Sequence, residues 1–191
     1  MTVTARRNVT EIETYTGRFV DLLNPQPEQI CLEDIAVGLS NTCRFAGQVT
    51  RFYSVAEHSV RCCNEFAWPA HRRAALFHDA HEAYTGDITA PMKKVLEDTA
   101  PGVLAEMQQR LDIAIAQRFG VVLEAFKEPK IKEADDYMMY REAAGLKYSH
   151  GIGEHWANGT YYAPLVGYGW EPAEAERRFI ETYERLSHVN A

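Results

Sequence analysis

Residues 76 to 94 read LFHDAHEAYTGDITAPMKK and are the most informative segment of this chain. They begin inside a predicted helix over about Pro69–Tyr84. His78 and Asp79 lie near the middle of that helix, which is otherwise largely apolar on one side. A buried carboxylate without a partner would cost on the order of several kcal/mol, so the pair requires compensation. A divalent cation is suitable, because imidazole nitrogen and carboxylate oxygen together bind Zn, Mn, Fe, Co or Mg.

Further ligands to such an ion must come from other helices, since neighbouring helical residues point about 100° apart. The pattern Ser54-x-x-Glu57 is a capping box, which predicts a helix from Val55 and places His58 in its first turn. Asp135 lies on a later predicted helix, beside an apolar stripe. Taken singly, these two residues could be a satisfied buried histidine and a solvated acid. Together with the adjacent His-Asp pair, they predict a four-residue metal site.

Hydrophobic periodicity predicts an all-helical protein preceded by a small irregular piece. The first thirty residues place Gly17 and Pro27 around the β-like stretch RFVDLL, which predicts extended structure or a small hairpin. Further helices are predicted over about Leu32–Leu39, Pro101–Gly120, Pro129–Lys147 and Pro172–Leu186. The stretch GDITAPMKK predicts a loop.

Residues 150 to 170 are rich in glycine and aromatic residues, and predict a long irregular excursion that is too apolar for a disordered linker. Its aromatic side chains could cover a pocket, bury a subunit interface or pack into the core. They are Trp156, Tyr161, Tyr162, Tyr168 and Trp170.

Composition limits the function. The chain has 191 residues and a formal net charge of −7, which argues against a nucleic-acid partner, because phosphate backbones favour basic surfaces. No signal peptide and no apolar run long enough for a membrane span are visible, so we expect a cytoplasmic protein without a membrane partner. The four cysteines form no Cys-x-x-Cys pair, and we interpret them as reduced small hydrophobic residues.

The order His58, His78-Asp79, Asp135 resembles the HD-domain metal-dependent phosphohydrolases. The stretch HDAHEAYTGDITAPMK is similar to the HDAxExxxGDxxxPxK stretch of bacterial 5′-deoxynucleotidases and of phage dATP triphosphohydrolases, which degrade dATP to deoxyadenosine and triphosphate. NTCRFAGQVTRFYSVAEHSV and KIKEADDYMMYREA fit the same group, so that the resemblance covers residues 14 to 147. It implies an all-α HD-domain helical bundle with a small irregular or β-hairpin N-terminal segment, as a single domain over residues 1–191.

The resemblance also implies roles for residues outside the ligand set. Glu82, which follows Asp79 by three positions, is the implied acid/base, and Asp87 is implied to order the nucleotide sugar or the water network. Arg44, Lys93 and Lys132 lie in matching segments and are implied substrate-binding cations, with Phe45 as the aromatic residue beside the sugar or base. A plain helical acid, a turn aspartate and solvated surface lysines are the alternatives. His81 is outside the family pattern, and we interpret it as an outer-shell or surface residue.

These residues predict metal-dependent hydrolysis of a small-molecule deoxynucleotide. We expect a dNTP such as dATP to give deoxynucleoside and triphosphate. A 5′-deoxynucleotidase that releases phosphate from dNMPs is one alternative, and a nucleotide-binding sensor without turnover is another. The resemblance implies one divalent metal ion, Zn, Co, Mn, Mg or Fe, with room for a second ion that arrives with the substrate phosphates. It also implies a homo-oligomer.

Overall fold

The structure is a computed structural model that describes residues 9–65, 69–147 and 163–188, without the side chains of residues 69 and 70. Its α-helices are α1 (Leu32–Asn41), α2 (Val55–Asn64), α3 (Pro69–Phe77), α4 (Glu82–Thr85), α5 (Ala90–Thr99), α6 (Val103–Phe119), α7 (Pro129–Leu146) and α8 (Pro172–His188). Short 3₁₀ helices span Pro27–Gln29, Arg44–Gly47 and Leu123–Lys127. The predicted all-α class is therefore confirmed at the level of secondary structure.

A two-stranded antiparallel hairpin precedes the helices, as the N-terminal pattern predicts. Strands β1 (Glu11–Glu13) and β2 (Phe19–Asp21) pair with Ile12 opposite Val20, and Val20 is fully buried. The turn between them is fixed to α1, because the backbone and hydroxyl of Thr16 donate to the Asp34 carboxylate at 2.8 and 2.9 Å. The hairpin thus closes one end of the helical core.

Helix α1 packs against α4 and α8 through an apolar face that includes the fully buried Ile35 and Leu39. The contact with α4 is close at Gly38. A Cβ atom at this position would lie 2.8 Å from the carbonyl oxygen of Ala83. Glycine therefore allows α1 to contact the short helix that carries Glu82.

The predicted continuous helix over Pro69–Tyr84 is wrong in its middle. Helix α3 ends at Phe77, residues 78–81 form a turn, and α4 starts only at Glu82. The reason is local. Nδ1 of His78 donates to the carbonyl oxygen of Ala75 at 2.8 Å, and this carbonyl is the acceptor that a continued helix would give to the backbone of Asp79. The ligand pair lies on this turn and not within a helix.

The predicted loop GDITAPMKK is also only partly correct. Residues 86–89 have no regular structure, but α5 begins at Ala90, with Pro91 in its first turn. Proline is tolerated there because the first backbone N–H groups of a helix have no partner within it. Lys93 is consequently a residue of α5 and not of a loop.

The remaining predicted helices are confirmed. The Ser54 hydroxyl accepts from the backbone of Glu57 at 3.1 Å and caps α2 at the predicted residue. Helix α6 starts two residues later than predicted and ends at Phe119, followed by the predicted stop residue Gly120, which is left-handed at φ 62°. The last residue of α3, Phe77, contacts the rings of Phe119 on α6 (ring centroids 4.7 Å apart) and of Phe179 on α8 (5.8 Å).

Part of the predicted irregular segment is visible. Trp156, Tyr161 and Tyr162 lie outside the described residues, whereas residues 163–171 are irregular, as predicted. The Tyr168 hydroxyl donates to the carbonyl of Gly145 at 2.8 Å, and the backbone of Trp170 donates to the Glu57 carboxylate at 2.8 Å. Both rings are partly buried against the core, which favours core packing for these two residues.

Glu57 does not complete the predicted capping box. Its buried carboxylate instead accepts from Gly169, Trp170 and Arg61, and so fastens the irregular segment to α2.

All four cysteines are free thiols, and Cys62 and Cys63 are buried, in agreement with their interpretation as small hydrophobic residues. None of the helices in the described ranges combines the length and the apolar character that crossing a bilayer requires.

Candidate metal centre

The four predicted metal ligands come together at one point. The Nε2 atoms of His58 on α2 and His78 on the turn lie 3.3 Å apart. Oδ1 of Asp135 on α7 lies 3.3 Å from the first of these nitrogens and 3.9 Å from the second. Oδ2 of Asp79 lies 3.6 and 3.2 Å from the same two atoms. Two nitrogen and two oxygen donors, all within 4.8 Å of one another, therefore surround a common point.

Both imidazoles are oriented by their second nitrogen. Nδ1 of His58 lies 2.7 Å from Oε1 of Glu142, and Nδ1 of His78 lies 2.8 Å from the carbonyl oxygen of Ala75. Because a carboxylate and a carbonyl only accept, each Nδ1 carries a proton, and Nε2 is the nitrogen that faces the centre and can bind a cation once it is deprotonated. This arrangement is typical of histidines that bind metals.

Glu142 is the residue of this centre that the sequence analysis missed. It is fully buried on α7, and its Oε1 also accepts from the Tyr53 hydroxyl at 2.8 Å. Its Oε2 accepts from Nε of Arg44 at 3.0 Å. Glu142 follows Asp135 by seven residues, or two helical turns, and this spacing was the signal that could have placed both on one face.

Arg44 lies inside this network. Its side chain is 10% exposed, and its Nη1 is 3.5 Å from Oδ2 of Asp79 in addition to the Glu142 contact. The guanidinium therefore joins the Glu142 carboxylate, which orients His58, to the carboxylate of a predicted ligand. Its predicted contact with substrate phosphate stays a prediction.

The electrostatics of the centre favour a cation. Burial acts to lower the pKa of His78, but Asp79 and Asp135 overcome it and hold that pKa well above the usual value. Burial acts to raise the pKa of Asp135, and contacts with His58 and His78 instead hold that pKa well below its usual range. The two carboxylates thus stabilise positive charge at the centre. Protons on the imidazoles or a divalent ion between them can supply that charge, and the donor set suits Zn, Mn, Fe or Co.

Cys62 lies beside the centre, one helical turn after His58. Its Sγ is 3.5 Å from Nε2 and 3.8 Å from Nδ1 of His58. Because the sulfur is almost equally distant from both ring nitrogens, it packs against the imidazole instead of lying along the Nε2 lone pair. The two histidines and this cysteine form a second donor group, but that position does not favour Cys62 as a ligand.

Glu82 has the environment of a proton-transfer group. It is 2% exposed, and its Oε2 makes no hydrogen bond with any residue that the structure describes. Its Oε1 lies 3.8 Å from Nζ of Lys93. Burial, followed by the charges of Asp79 and Asp87, raises the pKa of Glu82 to about 9. A bound cation would lower this pKa towards the neutral range.

Asp87 and Phe45 are in direct contact. Oδ2 of Asp87 accepts from the backbone N–H of Phe45 at 2.9 Å. Phe45 and Ala46 have φ of 57° and 54°, a left-handed conformation that costs non-glycine residues on the order of 1 kcal/mol each. The Phe45 ring lies under Nζ of Lys147, 4.7 Å from the ring centroid. Asp87 thus holds a strained loop beside the centre, and its predicted role toward a sugar is untested.

Each of the two predicted phosphate-binding lysines contacts a different carboxylate at the centre. Lys93 approaches Glu82 from α5, while Nζ of Lys132 on α7 lies 3.4 Å from Oδ2 of Asp135 and also contacts Asp136. Their side chains are 42% and 66% exposed. Each lysine side chain is therefore exposed to solvent and also contacts a carboxylate at the centre.

His81 is neither a ligand nor a surface residue. It is 8% exposed, and its Nδ1 lies 3.0 Å from Oδ1 of Asp112 on α6. The contact joins the end of the turn that carries His78 and Asp79 to a helix that contributes no ligand, in line with the outer-shell alternative.

Fold and site together define a mostly helical protein with a partly buried centre of two histidines and two aspartates that could hold a metal ion. No family model matches the chain. It is 39% identical over 141 residues to the uncharacterized protein YfdR of Escherichia coli, a match that covers 71% of each chain. It is 40% identical over 141 residues to an uncharacterized protein of Rhodobacter capsulatus, which covers 67% of this chain and 68% of the relative. The chain belongs to the protein family that includes YfdR.

Proposed function

We propose that this protein is a metal-dependent phosphohydrolase of the HD type that acts on deoxynucleotides. The observation that carries the proposal is the convergence of His58, His78, Asp79 and Asp135. The buried carboxyl of Glu82 lies beside them, and its Oε2 makes no hydrogen bond within the described part of the chain. The resemblance of residues 14 to 147 to deoxynucleotide-cleaving enzymes supports the choice of substrate.

A divalent ion held by the four side chains would supply Lewis acidity toward a phosphoryl oxygen and would lower the pKa of water. Proton transfer and orientation of the ligands are assigned to the side chains of the protein. Glu82 exchanges a proton with the attacking water or with the leaving oxygen, for which a buried carboxyl with a raised pKa is suited. Glu142, Tyr53 and Arg44 hold the His58 imidazole so that Nε2 keeps its direction.

The cations around the centre support a substrate with more than one phosphate. Arg44 is largely committed to Glu142 and Asp79, so we assign phosphate binding mainly to Lys93 and Lys132. These lysines come from two helices and contact different carboxylates of the centre. A phosphate chain between them would lie across the ligand set, with its ester bond held against the centre. We therefore favour a dNTP cleaved to deoxynucleoside and triphosphate.

The test is product analysis. Purified protein is incubated with Co, Mn or Mg and with each dNTP and dNMP, and the products are separated by chromatography. Release of deoxynucleoside and triphosphate from a dNTP is the expected result. Release of phosphate from dNMPs alone would establish the 5′-deoxynucleotidase alternative with the same site. Tight nucleotide binding without any product would refute hydrolysis and establish the sensor alternative.

A further inference from the structure

A second polar site lies on the outer side of α2. A groove with a cavity volume of about 440 Å³ runs between α2 and α8, and Trp170 forms part of its wall. Four arginines and one acidic residue line it, together with smaller side chains. The charged residues are Arg61, Arg177, Arg178, Arg185 and Glu181. This lining is strongly positive in a chain whose net charge is −7. We call it the arginine groove.

The arginines keep capacity for an external anion. Arg177 pairs with Glu174 and Glu181, and Arg178 pairs with Glu174, all on α8, but the two arginine side chains are 53% and 44% exposed. Such exposed pairs are weak and exchange readily with other anions. Among the described residues, the Arg185 guanidinium donates one hydrogen bond, from Nη2 to the Thr182 hydroxyl at 3.0 Å. A guanidinium has five N–H donors, so most of those of Arg185 face the groove or solvent.

The residues on the α2 side of the groove are held by contacts within the protein. Arg61 binds the buried Glu57 carboxylate through Nε and Nη2 at 3.0 and 2.8 Å. The Trp170 ring lies between guanidinium groups, with Cζ of Arg61 4.9 Å and Cζ of Arg178 4.2 Å from its centroid. Since two cations already contact the ring, charge and not base stacking determines what the groove binds.

We propose that the arginine groove binds an anion with two or more linked phosphoryl groups. Arg177 and Arg185 are eight residues apart, or about 12 Å along the axis of α8. A single phosphate is too small to contact both, whereas a phosphate chain reaches from one to the other. Guanidinium groups also match phosphate oxygens in bidentate geometry. The ligand is a free oligophosphate or the phosphate tail of a nucleotide.

The groove and the candidate metal centre are linked by two adjacent residues of α2. Glu57, which binds Arg61, directly precedes His58 on α2. An anion on Arg61 would compete for the contact that fixes Glu57. The site itself does not depend on the proposed hydrolysis, because its residues are separate from the ligand set.

The experiment is calorimetric titration of the full chain with sodium tripolyphosphate in the presence of EDTA and at low salt. Removal of divalent ions separates this binding from metal-dependent substrate binding. We expect Arg185→Gln to weaken the affinity about fivefold, and Glu181→Gln to strengthen it by a similar factor. Arg110→Gln is the matched control, because Arg110 is 45% exposed and lies on α6. It should leave the affinity unchanged, and orthophosphate should bind more weakly than tripolyphosphate.

A second control locates the ligand. Lys93→Gln alters the candidate active site alone, and should not change the metal-free affinity. Equal affinities for tripolyphosphate and a dNTP would identify the phosphate chain as the ligand, and a higher affinity for the dNTP would identify a nucleotide. Both results support the groove. Absence of binding to the wild-type chain, equal losses in Arg185→Gln and Arg110→Gln, or loss of binding in Lys93→Gln would each overturn it. Circular dichroism checks that each variant is folded.

Discussion

Glu82 is the residue on which the proposed chemistry depends most directly. Its carboxyl is buried, and burial together with Asp79 and Asp87 raises its pKa to about 9. We expect Glu82→Gln to lower turnover of a deoxynucleotide by about 10²- to 10⁴-fold, the usual contribution of a general acid or base. Metal affinity, measured by calorimetry, should change little, because Glu82 is not among the four ligands. Glu133→Gln, an exposed change on α7, is the control. Turnover that persists in Glu82→Gln would remove this residue from the mechanism.

His78 predicts the pH dependence of the metal-free protein. Its folded pKa lies well above 6.5, because the nearby aspartates outweigh the effect of burial. A raised folded pKa stabilises the protein fully below about pH 6.5, and this contribution is lost as pH rises through the folded pKa. In EDTA, the melting temperature should therefore fall as the pH rises above about 6.5.

A bound divalent ion should remove this decline, because it replaces the protons of the imidazoles. The measurement is thermal unfolding with EDTA and with Mn at several pH values. His71→Gln is the control, since His71 pairs with Glu128 away from the centre. Identical pH profiles with and without metal would contradict the assignment of the site.

The four residues of the candidate metal centre were predictable from residue types and order, but the residues that orient them were not. His58, His78, Asp79 and Asp135 were identified from a buried His-Asp pair that needs compensation and from its resemblance to a family. Glu142 was missed because an acidic residue in a helix predicts solvent exposure unless its partners are known. Arg44 and Tyr53, those partners, lie 98 and 89 residues away in sequence. Only the fold brings them to Glu142.

Among the secondary-structure elements, the helix N-termini that depend on a nearby capping residue or proline were predicted well. The Ser54 cap fixes the start of α2, and Pro129 and Pro172 open α7 and α8 at the expected residues. The break between α3 and α4 was not predicted. It depends on a side-chain bond from His78 to Ala75, while the periodicity of the segment continues through the break. The start of α5 was missed because the whole stretch GDITAPMKK was predicted to be a loop, whereas Pro91 lies in the first turn of this helix.

The contact between α1 and α4 predicts a specific sensitivity. In Gly38→Ala, the new Cβ would lie 2.8 Å from the Ala83 carbonyl oxygen and 2.9 Å from its Cβ. The two helices must move apart, which we expect to cost about 1–3 kcal/mol in the free energy of unfolding. Urea denaturation measures this loss. Glu33→Ala, an exposed change on α1, should stay within about 0.5 kcal/mol. A Gly38→Ala protein as stable as wild type would refute the close packing.

At the scale of the whole molecule, the Glu142 network joins distant parts of the chain. Its carboxylate contacts Arg44, Tyr53 and His58, all of them buried. We expect Glu142→Ala to destabilise the protein by about 3–5 kcal/mol, because it leaves the Arg44 charge buried without its main partner. The measurement is urea denaturation in EDTA, with Glu133→Ala as the control on the same helix. A loss below about 1 kcal/mol would show that the network does not stabilise the fold.

The whole fold brings residues from α2, the turn before α4, and α7 to one centre, and two lysines flank it. We propose that this centre holds one divalent ion on which deoxynucleotide hydrolysis depends, and reconstitution with metal is the test. Metal-free protein is titrated with Co or Mn, and the hydrolysis rate of a dNTP is followed. We expect the rate to rise until about one ion is bound per chain, and Asp135→Ala to show no such rise. Hydrolysis that proceeds equally in EDTA, or its absence at every metal concentration, would contradict a metal-dependent hydrolase.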